Sequence, residues 1–261
     1  PQAEGFSGLR NDSEGTEMPA QWTTAFLYYG GKRMPLTDER LSEMIRMLPK
    51  CGIVADIGTD HGRLGAQLLL TGKCGKVWFS DISAPSLEKA RGLIARRGLQ
   101  ERAEFFVGDG ARALPGAPDA AVIAGMGGDT ICGILDRADW VMSRDILLIL
   151  QPMTKAEVLR YWLTNNDFAI CGEWLIEENG EIYQILSARF GARTPLSDAE
   201  LFTGKYELAV GNALFPVQLA ALIKRFERAA AGMSKAPRMR GRQKLTAEIL
   251  NGLYEMRDAV L

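Results

Sequence analysis

The sequence predicts a doubly wound α/β domain with a mainly parallel sheet, followed by an α-helical hairpin. Three observations carry this. Short apolar runs alternate with helix-spaced segments from residue 37 to about residue 190, the pattern of a parallel sheet covered on both faces. The last two apolar runs are separated only by the turn-like Glu178-Asn179-Gly180, which adds an antiparallel edge. Beyond about Gly191 only helix-period segments remain.

Residues 1–33 read as a leader, partly disordered by composition. Gly, Ser, Asn, Asp and Glu dominate up to Gly15, the chain opens on Pro1, and Met18 and Met34 are plausible natural starts. The stretch Trp22 to Tyr29 is apolar enough to pack. From Thr37, placed to cap it, a helix follows, with Leu41, Met44, Ile45 and Leu48 on one face. Pro49 to Gly52 stops it. Ile53 to Gly58 is a buried strand running into a glycine turn, and Leu64 to Leu70 resumes a helix. Lys76 to Asp81 is the second strand. Ser83 to Arg97 is a helix with Pro85 near its start and Gly98 just past its end. Strands follow at 103–107 and 120–124, then a helix at 130–141, a strand at 146–150 and a helix at 157–165. Phe168 to Ile176 and Ile182 to Arg189 close the sheet. The domain runs over 34–191 and a helical hairpin over 192–261. In the hairpin, Leu219, Leu222, Ile223, Phe226 and Ala230 share one face, and Leu245, Ile249, Leu253, Met256 and Val260 share another.

Composition excludes several classes. At 47% hydrophobic and 24% charged, the 261-residue chain holds enough apolar surface for a true core. Its longest apolar runs are far too short to span a bilayer, so no membrane partner is expected. Cys51, Cys74, Cys132 and Cys171 are scattered without a CxxC pair, and there is one histidine. That argues against a structural metal site and suits a reducing, cytoplasmic compartment.

The chemistry lies at the strand ends. In Ala55-Asp56-Ile57-Gly58-Thr59-Asp60-His61-Gly62, a buried strand ends in an acid, a glycine and a polar turn. Such a glycine lets backbone approach a ligand that a Cβ would block, at the strand terminus where open α/β sheets bind ligands. The segment has neither the three glycines of a dinucleotide fold nor a P-loop lysine. Asp81, ending the second strand, can accept hydrogen bonds from both ribose hydroxyls of a nucleoside cofactor, with Ile82 beside it. Gly108-Asp109-Gly110 places a carboxylate where it can accept from an adenine amino group. Ala124-Gly125-Met126-Gly127-Gly128 and Gln151-Pro152-Met153 follow the fourth and fifth strands. Taken singly, each is an ordinary βα turn. In order and register they describe one binding rim, and three glycines in four residues give up chain entropy that close approach to a ligand explains.

The run ADIGTDHG, SDIS, GDG, IAGMGG and LILQPM resembles the bacterial tRNA (adenine-N1)-methyltransferase family called TrmK, over roughly Leu41 to Phe190. The resemblance implies a class I, Rossmann-like methyltransferase sheet with a C-terminal coiled-coil hairpin. It implies S-adenosyl-L-methionine as cofactor and methylation of N1 of the adenine at position twenty-two, in the D arm of tRNA. It puts Asp56, Gly58, Thr59 and Asp60 around the methionine part, with His61 structural or cofactor-contacting. It puts Asp81 and Ile82 on the ribose side, Asp109 and Gly110 near the adenine, and Gly125, Met126 and Gly127 between cofactor and target base. The family commonly continues its first motif as DHAYLP, whereas this chain has His61-Gly62-Arg63-Leu64-Gly65.

Adenine N1 carries a lone pair and no proton, so the reaction needs alignment more than a general base. The product base is cationic, and a nearby carboxylate would favour it. Asp60 is the first candidate for that role and Asp129 the second; the alternative for Asp60 is a helix cap. Gln151 is placed to hydrogen-bond the target base edge or, alternatively, to cap a strand end. Between Ala221 and Leu250 the tail carries eight basic residues against Glu227 and Glu248. That excess, on a chain of net charge −1, suits a phosphate-binding arm. Arg238, Arg240, Arg242 and Lys244 lead the candidates, with Lys224 and Arg228. A monomer acting on tRNA is the expectation. The alternatives are a methyltransferase of another substrate and a methyltransferase-like RNA-binding scaffold.

Overall fold

A computed structural model describes residues 38–143, 145–233 and 240–260, and the backbone at 26–29 and 32–35. The leader expected over 1–33 therefore lies mostly outside the described residues. Its last part, Phe26–Tyr29 (β1), pairs antiparallel with Lys32–Pro35 (β2).

Residues 37–261 form one compact unit. Helix α1 (Glu39–Met47) precedes β3 (Cys51–Ile57), α2 (Arg63–Leu70), β4 (Cys74–Asp81), α3 (Ala84–Arg96) and β5 (Ala103–Val107). Then come β6 (Ala120–Gly127), α4 (Gly128–Leu135), β7 (Leu147–Thr154), α5 (Ala156–Asn165), β8 (Phe168–Glu178) and β9 (Glu181–Phe190). The sheet order is β5-β4-β3-β6-β7-β9-β8. β3 to β7 run parallel, and β9 is antiparallel to both β7 and β8. The expected α/β sheet and its antiparallel edge are both present.

Strict alternation feeds two cores from the central strands. Ala120, Val122, Leu147 and Ile149 face one layer, with Leu64, Leu68 and Leu87. Ala121, Ile123, Leu148 and Leu150 face the other, with Ile131, Leu135 and Leu159. Burial on both faces is why these strands read as continuous apolar runs. A third cluster joins the helical tail to the sheet: Leu175 of β8 packs with Phe215, Leu219, Ile249 and Leu253.

Local differences from the sequence expectation have physical causes. The cap of α1 is Asp38, whose side chain accepts from Leu41 N–H, rather than Thr37. β3 starts at Cys51 because Asp119 Oδ2 accepts from the Gly52 and Ile53 amides, each at 2.8 Å, and ties them to the sheet. The helix expected over 130–141 ends at Leu135, and Ala138 is extended (φ −128°, ψ 101°) before a separate 3-10 turn at Asp139–Met142. Two short helices, α6 (Asp198–Thr203) and α7 (Tyr206–Ala209), precede the long α8 (Phe215–Met233) and α9 (Arg240–Val260). α6 opens with a full capping box between Ser197 and Glu200. Hydrogen bonds from Gln243 to Met233 and from Tyr254 to Glu227 make α8 and α9 antiparallel.

One buried ion pair fastens the tail to the sheet. Arg160 on α5 donates from Nε to Glu173 on β8 at 2.6 Å, and also to the Leu201 carbonyl and to Gln184 Oε1. The other Glu173 oxygen accepts from Lys205 N–H, in the turn between α6 and α7. Their side chains are 1% and 4% exposed.

Candidate active site

β3 is the switch point of the sheet: the chain leaves it toward β4 on one side and returns to β6 on the other. Open α/β sheets bind ligands at the carboxyl ends of such strands. A cleft of about 340 Å³ lies there, lined by Asp56, Gly58, Thr59, Asp60 and His61 after β3, by Ala124 and Gly125 of β6, and by Gln151 of β7. Among the proposed site residues, Asp56, Gly58, Thr59, Asp60, His61, Gly125 and Gln151 are thus brought together.

Asp56 sits at the floor, 6% exposed. Its Oδ2 accepts from Thr59 Oγ1 at 2.7 Å and from Gly65 N–H at 3.3 Å. Burial pushes its carboxyl up to about 6; those hydrogen bonds oppose the shift and nearby Asp81 adds to it. Gly58 follows at φ +77°, a backbone conformation that a Cβ disfavours. A Cβ there would lie 1.9 Å from Met126 Cε, so the Met126 side chain lies over the glycine.

The rest of the rim is hydrogen-bonded to this floor. Gly58 N–H and Thr59 N–H donate to the Ser80 carbonyl at 2.7 and 3.3 Å, next to Asp81. Gly108 N–H donates to the Asp81 carbonyl, and Ser80 Oγ to the Gly110 carbonyl. Asp81 Oδ1 accepts from Ser83 N–H. Ile82 and Val107 stand open beside these acids at 78% and 59% exposure. Asp109 is gripped by Arg137, with Nε to Oδ2 at 2.7 Å and a second guanidinium nitrogen to Oδ1 at 3.0 Å.

At β6 the ladder slips between Ala124 and Met126, and Gly125 adopts φ +78°. This is a β-bulge, a common device beside active sites. The bulge frees the Gly125 amide from the ladder. Gln151, 1% exposed and within β7 rather than at its end, supplies the replacement acceptor at 3.2 Å. Its Nε2 donates to the Pro152 carbonyl. The Gln151 amide thus holds the bulge from within β7, so it is not a strand-end cap, and it also lines the cleft. Gly127 and Gly128 follow; a Cβ on Gly128 would sit 2.2 Å from the Lys155 carbonyl oxygen. The tips of β6 and β7 thus pack backbone to backbone.

Two carboxylates were candidates to face a cationic product. Asp129 is ion-paired with Lys155 at 2.8 Å, and that hydrogen bond holds its carboxyl below the ordinary range. Asp60 remains in the cleft, 71% exposed, with Oδ2 2.5 Å from His61 Nδ1. It is not a cap: α2 starts after Gly62 with no side-chain capping bond. Buried Cys74 and Cys132 are pushed up to about 12 by burial, which disarms them as nucleophiles.

The sequence reading missed one wall. Asp38, Arg40, Leu41 and Met44 of the α1 segment, with Arg63 of α2, complete the cleft. Arg40 bonds Glu178 and stacks over the Tyr183 ring at 4.3 Å, pinning α1 to the β8–β9 tip. Its only sequence signal was a charge on the polar face of an amphipathic helix, which any solvated helix shows.

In the tail, Lys224, Arg228, Arg240, Arg242 and Lys244 are all exposed. Arg238 lies outside the described residues. Among the described residues no helix is long and apolar enough to cross a membrane, and no three His, Cys, Asp or Glu side chains gather as a metal site would require.

Comparison with known proteins agrees with this geometry. A family model described as a methyltransferase domain matches residues 37–186. The tRNA (adenine(22)-N(1))-methyltransferase of Bacillus subtilis (strain 168) is 31% identical over 183 residues, 68% of this chain and 77% of that protein. The crystal structure of the B. subtilis M1A22 tRNA methyltransferase TrmK matches with a TM-score of 0.76 at 26% identity, covering 85% of this chain and 98% of that one. M. capricolum TrmK, solved in complex with S-adenosyl-homocysteine, shares the fold at TM-score 0.72 and 22% identity, over 86% of this chain and 98% of that one.

Proposed function

The chain belongs to the tRNA (adenine(22)-N(1))-methyltransferase family, and from that premise we propose that it methylates N1 of adenine 22 in the D arm of tRNA, using S-adenosyl-L-methionine. The observation that carries this reading is the cleft at the β3/β6 switch point, where a buried carboxylate, a positive-φ glycine and a bulged glycine amide converge.

The residues fit the cofactor. Gly58 offers backbone without a Cβ, covered by the Met126 thioether, an unbranched side chain of the adaptable kind. Asp56 and Thr59, hydrogen-bonded to each other at the cleft floor, would hold the cofactor's ammonium group. Among the described residues Asp81 Oδ2 has no protein partner, which leaves it for ribose hydroxyls. Exposed Ile82 and Val107 provide an apolar edge for a purine ring, with Asp109 and Gly110 beside it. Bound there, S-adenosyl-L-methionine supplies an electrophilic methyl group on a sulfonium. The protein's own part is to align and to exclude. Gln151 fixes the Gly125–Gly127 bulge that borders the target base, and Asp60 presents a carboxylate to the base as it becomes cationic.

The tail supports tRNA as the partner. Arg240, Arg242 and Lys244 lie in the first two turns of α9, with no acid in the first turn. Cations there oppose the helix dipole, so they are explained by a ligand better than by helix stability. Phosphates supply that ligand, and Lys224 and Arg228 on α8 extend the surface. The four free cysteines fit an enzyme of the reducing cytoplasm.

The test is to incubate protein, S-adenosyl-L-methionine and unmodified tRNA, digest the RNA and analyse nucleosides by mass spectrometry. 1-Methyladenosine from wild type, and its loss with Asp81→Ala, is the expected result. A different methylated nucleoside would overturn the assignment of the atom, and none at all would overturn the activity.

A further inference from the structure

We propose that His61 reads the exocyclic amino group of the target adenine, and that Asp60 is the positioning residue that makes it able to do so. This rests on the functional reading above and names a residue for base selection.

An enzyme that methylates N1 must leave the N1 lone pair free, so adenine has to be recognised elsewhere on its edge. The N6 amino group is a donor, where guanine presents the O6 acceptor. The site therefore needs a free acceptor in the cleft. Gln151 Oε1 is given to Gly125 N–H, Asp56 Oδ2 to Thr59 and Gly65, and Asp38 Oδ1 to Leu41 N–H. The second carboxylate oxygens of Asp38, Asp56 and Asp60 also line the cleft; among its acceptors the His61 ring, 51% exposed, is the one whose lone pair a neighbouring hydrogen bond directs.

Its tautomer is set by its neighbour. A carboxylate only accepts hydrogen bonds, so the 2.5 Å contact between Asp60 Oδ2 and His61 Nδ1 places the hydrogen on Nδ1. Nε2 then carries the lone pair, and among the described residues it has no protein partner. Adjacent side chains do not normally meet in this way. Asp60 does so from φ +28°, a positive value for a residue with a Cβ. Strain of this kind persists where function holds it, and here it serves no cap, since α2 starts after Gly62.

The contact is worth more during reaction than before it. As N1 gains the methyl group the base gains one positive charge, shared with N6, and the N6 proton stays in place. A hydrogen bond from an increasingly cationic donor strengthens, so His61 favours the transition state over the bound substrate.

The experiment compares tRNA carrying adenine at position 22 with tRNA carrying unsubstituted purine there, which lacks only the amino group. Wild type should prefer adenine by roughly 10- to 100-fold in kcat/KM. In His61→Ala the ratio should fall toward 1, and His61→Gln, which keeps an acceptor, should recover part of it. Stabilisation by S-adenosylhomocysteine should be unchanged in His61→Ala. Because the chain has a single histidine, nitrogen-15 NMR reads its tautomer without ambiguity. Hydrogen on Nδ1 is expected in wild type, and a mixture in Asp60→Ala. The same adenine preference in His61→Ala as in wild type overturns the inference, as does loss of the S-adenosylhomocysteine shift. Wild-type protein that makes no 1-methyladenosine overturns the functional reading itself, and this inference with it.

Discussion

Asp56 is held at the floor of the cleft against its own solvation, and replacing it with asparagine measures by how much. Its carboxyl rises from 3.8 to about 6, with burial the largest cause. Between about pH 4 and pH 6 the folded protein therefore binds a proton that the unfolded chain has released. The Asp56 contribution to stability falls as pH rises through that window and is flat above it. At 1.36 kcal/mol per pH unit, the total is about 3 kcal/mol. The asparagine side chain keeps a carbonyl for the Thr59 and Gly65 donors, carries no charge and removes this penalty. Urea unfolding from pH 4 to pH 8 should show Asp56→Asn gaining about 3 kcal/mol relative to wild type between pH 4 and pH 7, with the gap constant above. The same substitution should abolish stabilisation by S-adenosylhomocysteine, because the acid is retained for the ligand. Parallel stability–pH curves for the two proteins would refute the reasoning, and so would an unchanged ligand shift.

Other consequences follow from the same structure. Glu173→Ala leaves Arg160 buried without its partner. A loss of roughly 3–5 kcal/mol, or about 6–20 °C in Tm for a unit of this size, should appear by calorimetry. Gln151→Ala orphans the bulged Gly125 amide and should lower stability by about 1–3 kcal/mol. Its kcat should fall while S-adenosylhomocysteine affinity is kept; equal loss of both would place Gln151 in the cofactor site. Neutralising Arg240, Arg242 and Lys244 together should flatten the plot of log tRNA affinity against log salt by about 1 per lost phosphate contact, roughly 3 in all. An unchanged slope would remove α9 from the RNA surface.

Much of this was legible because burial on both faces writes itself into a sequence. β6 and β7 open as continuous apolar runs; the glycines that build the bulge follow the first, and the glutamine that holds it follows the second. Asp56, Gly58 and His61 stood in one motif, and the cleft gathers them. The Ser197-to-Glu200 capping box was also readable, although α6 was not drawn from it. What stayed hidden is tertiary. The Arg160–Glu173 pair joins side chains whose burial depends on how α6 and α7 close over β8. Arg40 looked like any solvated helix charge until the β8–β9 tip met it. The Asp60–His61 contact needed a positive φ that no residue type announces, and the Gln151 side chain found a purpose only once β6 had slipped register.

The measurement that bears most directly on the central claim is the position of the methyl group. Unmodified tRNA, treated with the protein and S-adenosyl-L-methionine, would be cut into fragments and sequenced by mass spectrometry, beside a tRNA with cytosine at position 22. The account predicts one added methyl group, on adenine 22 of the first tRNA, and none on the second. Methylation of both, or of another nucleotide in either, would contradict it.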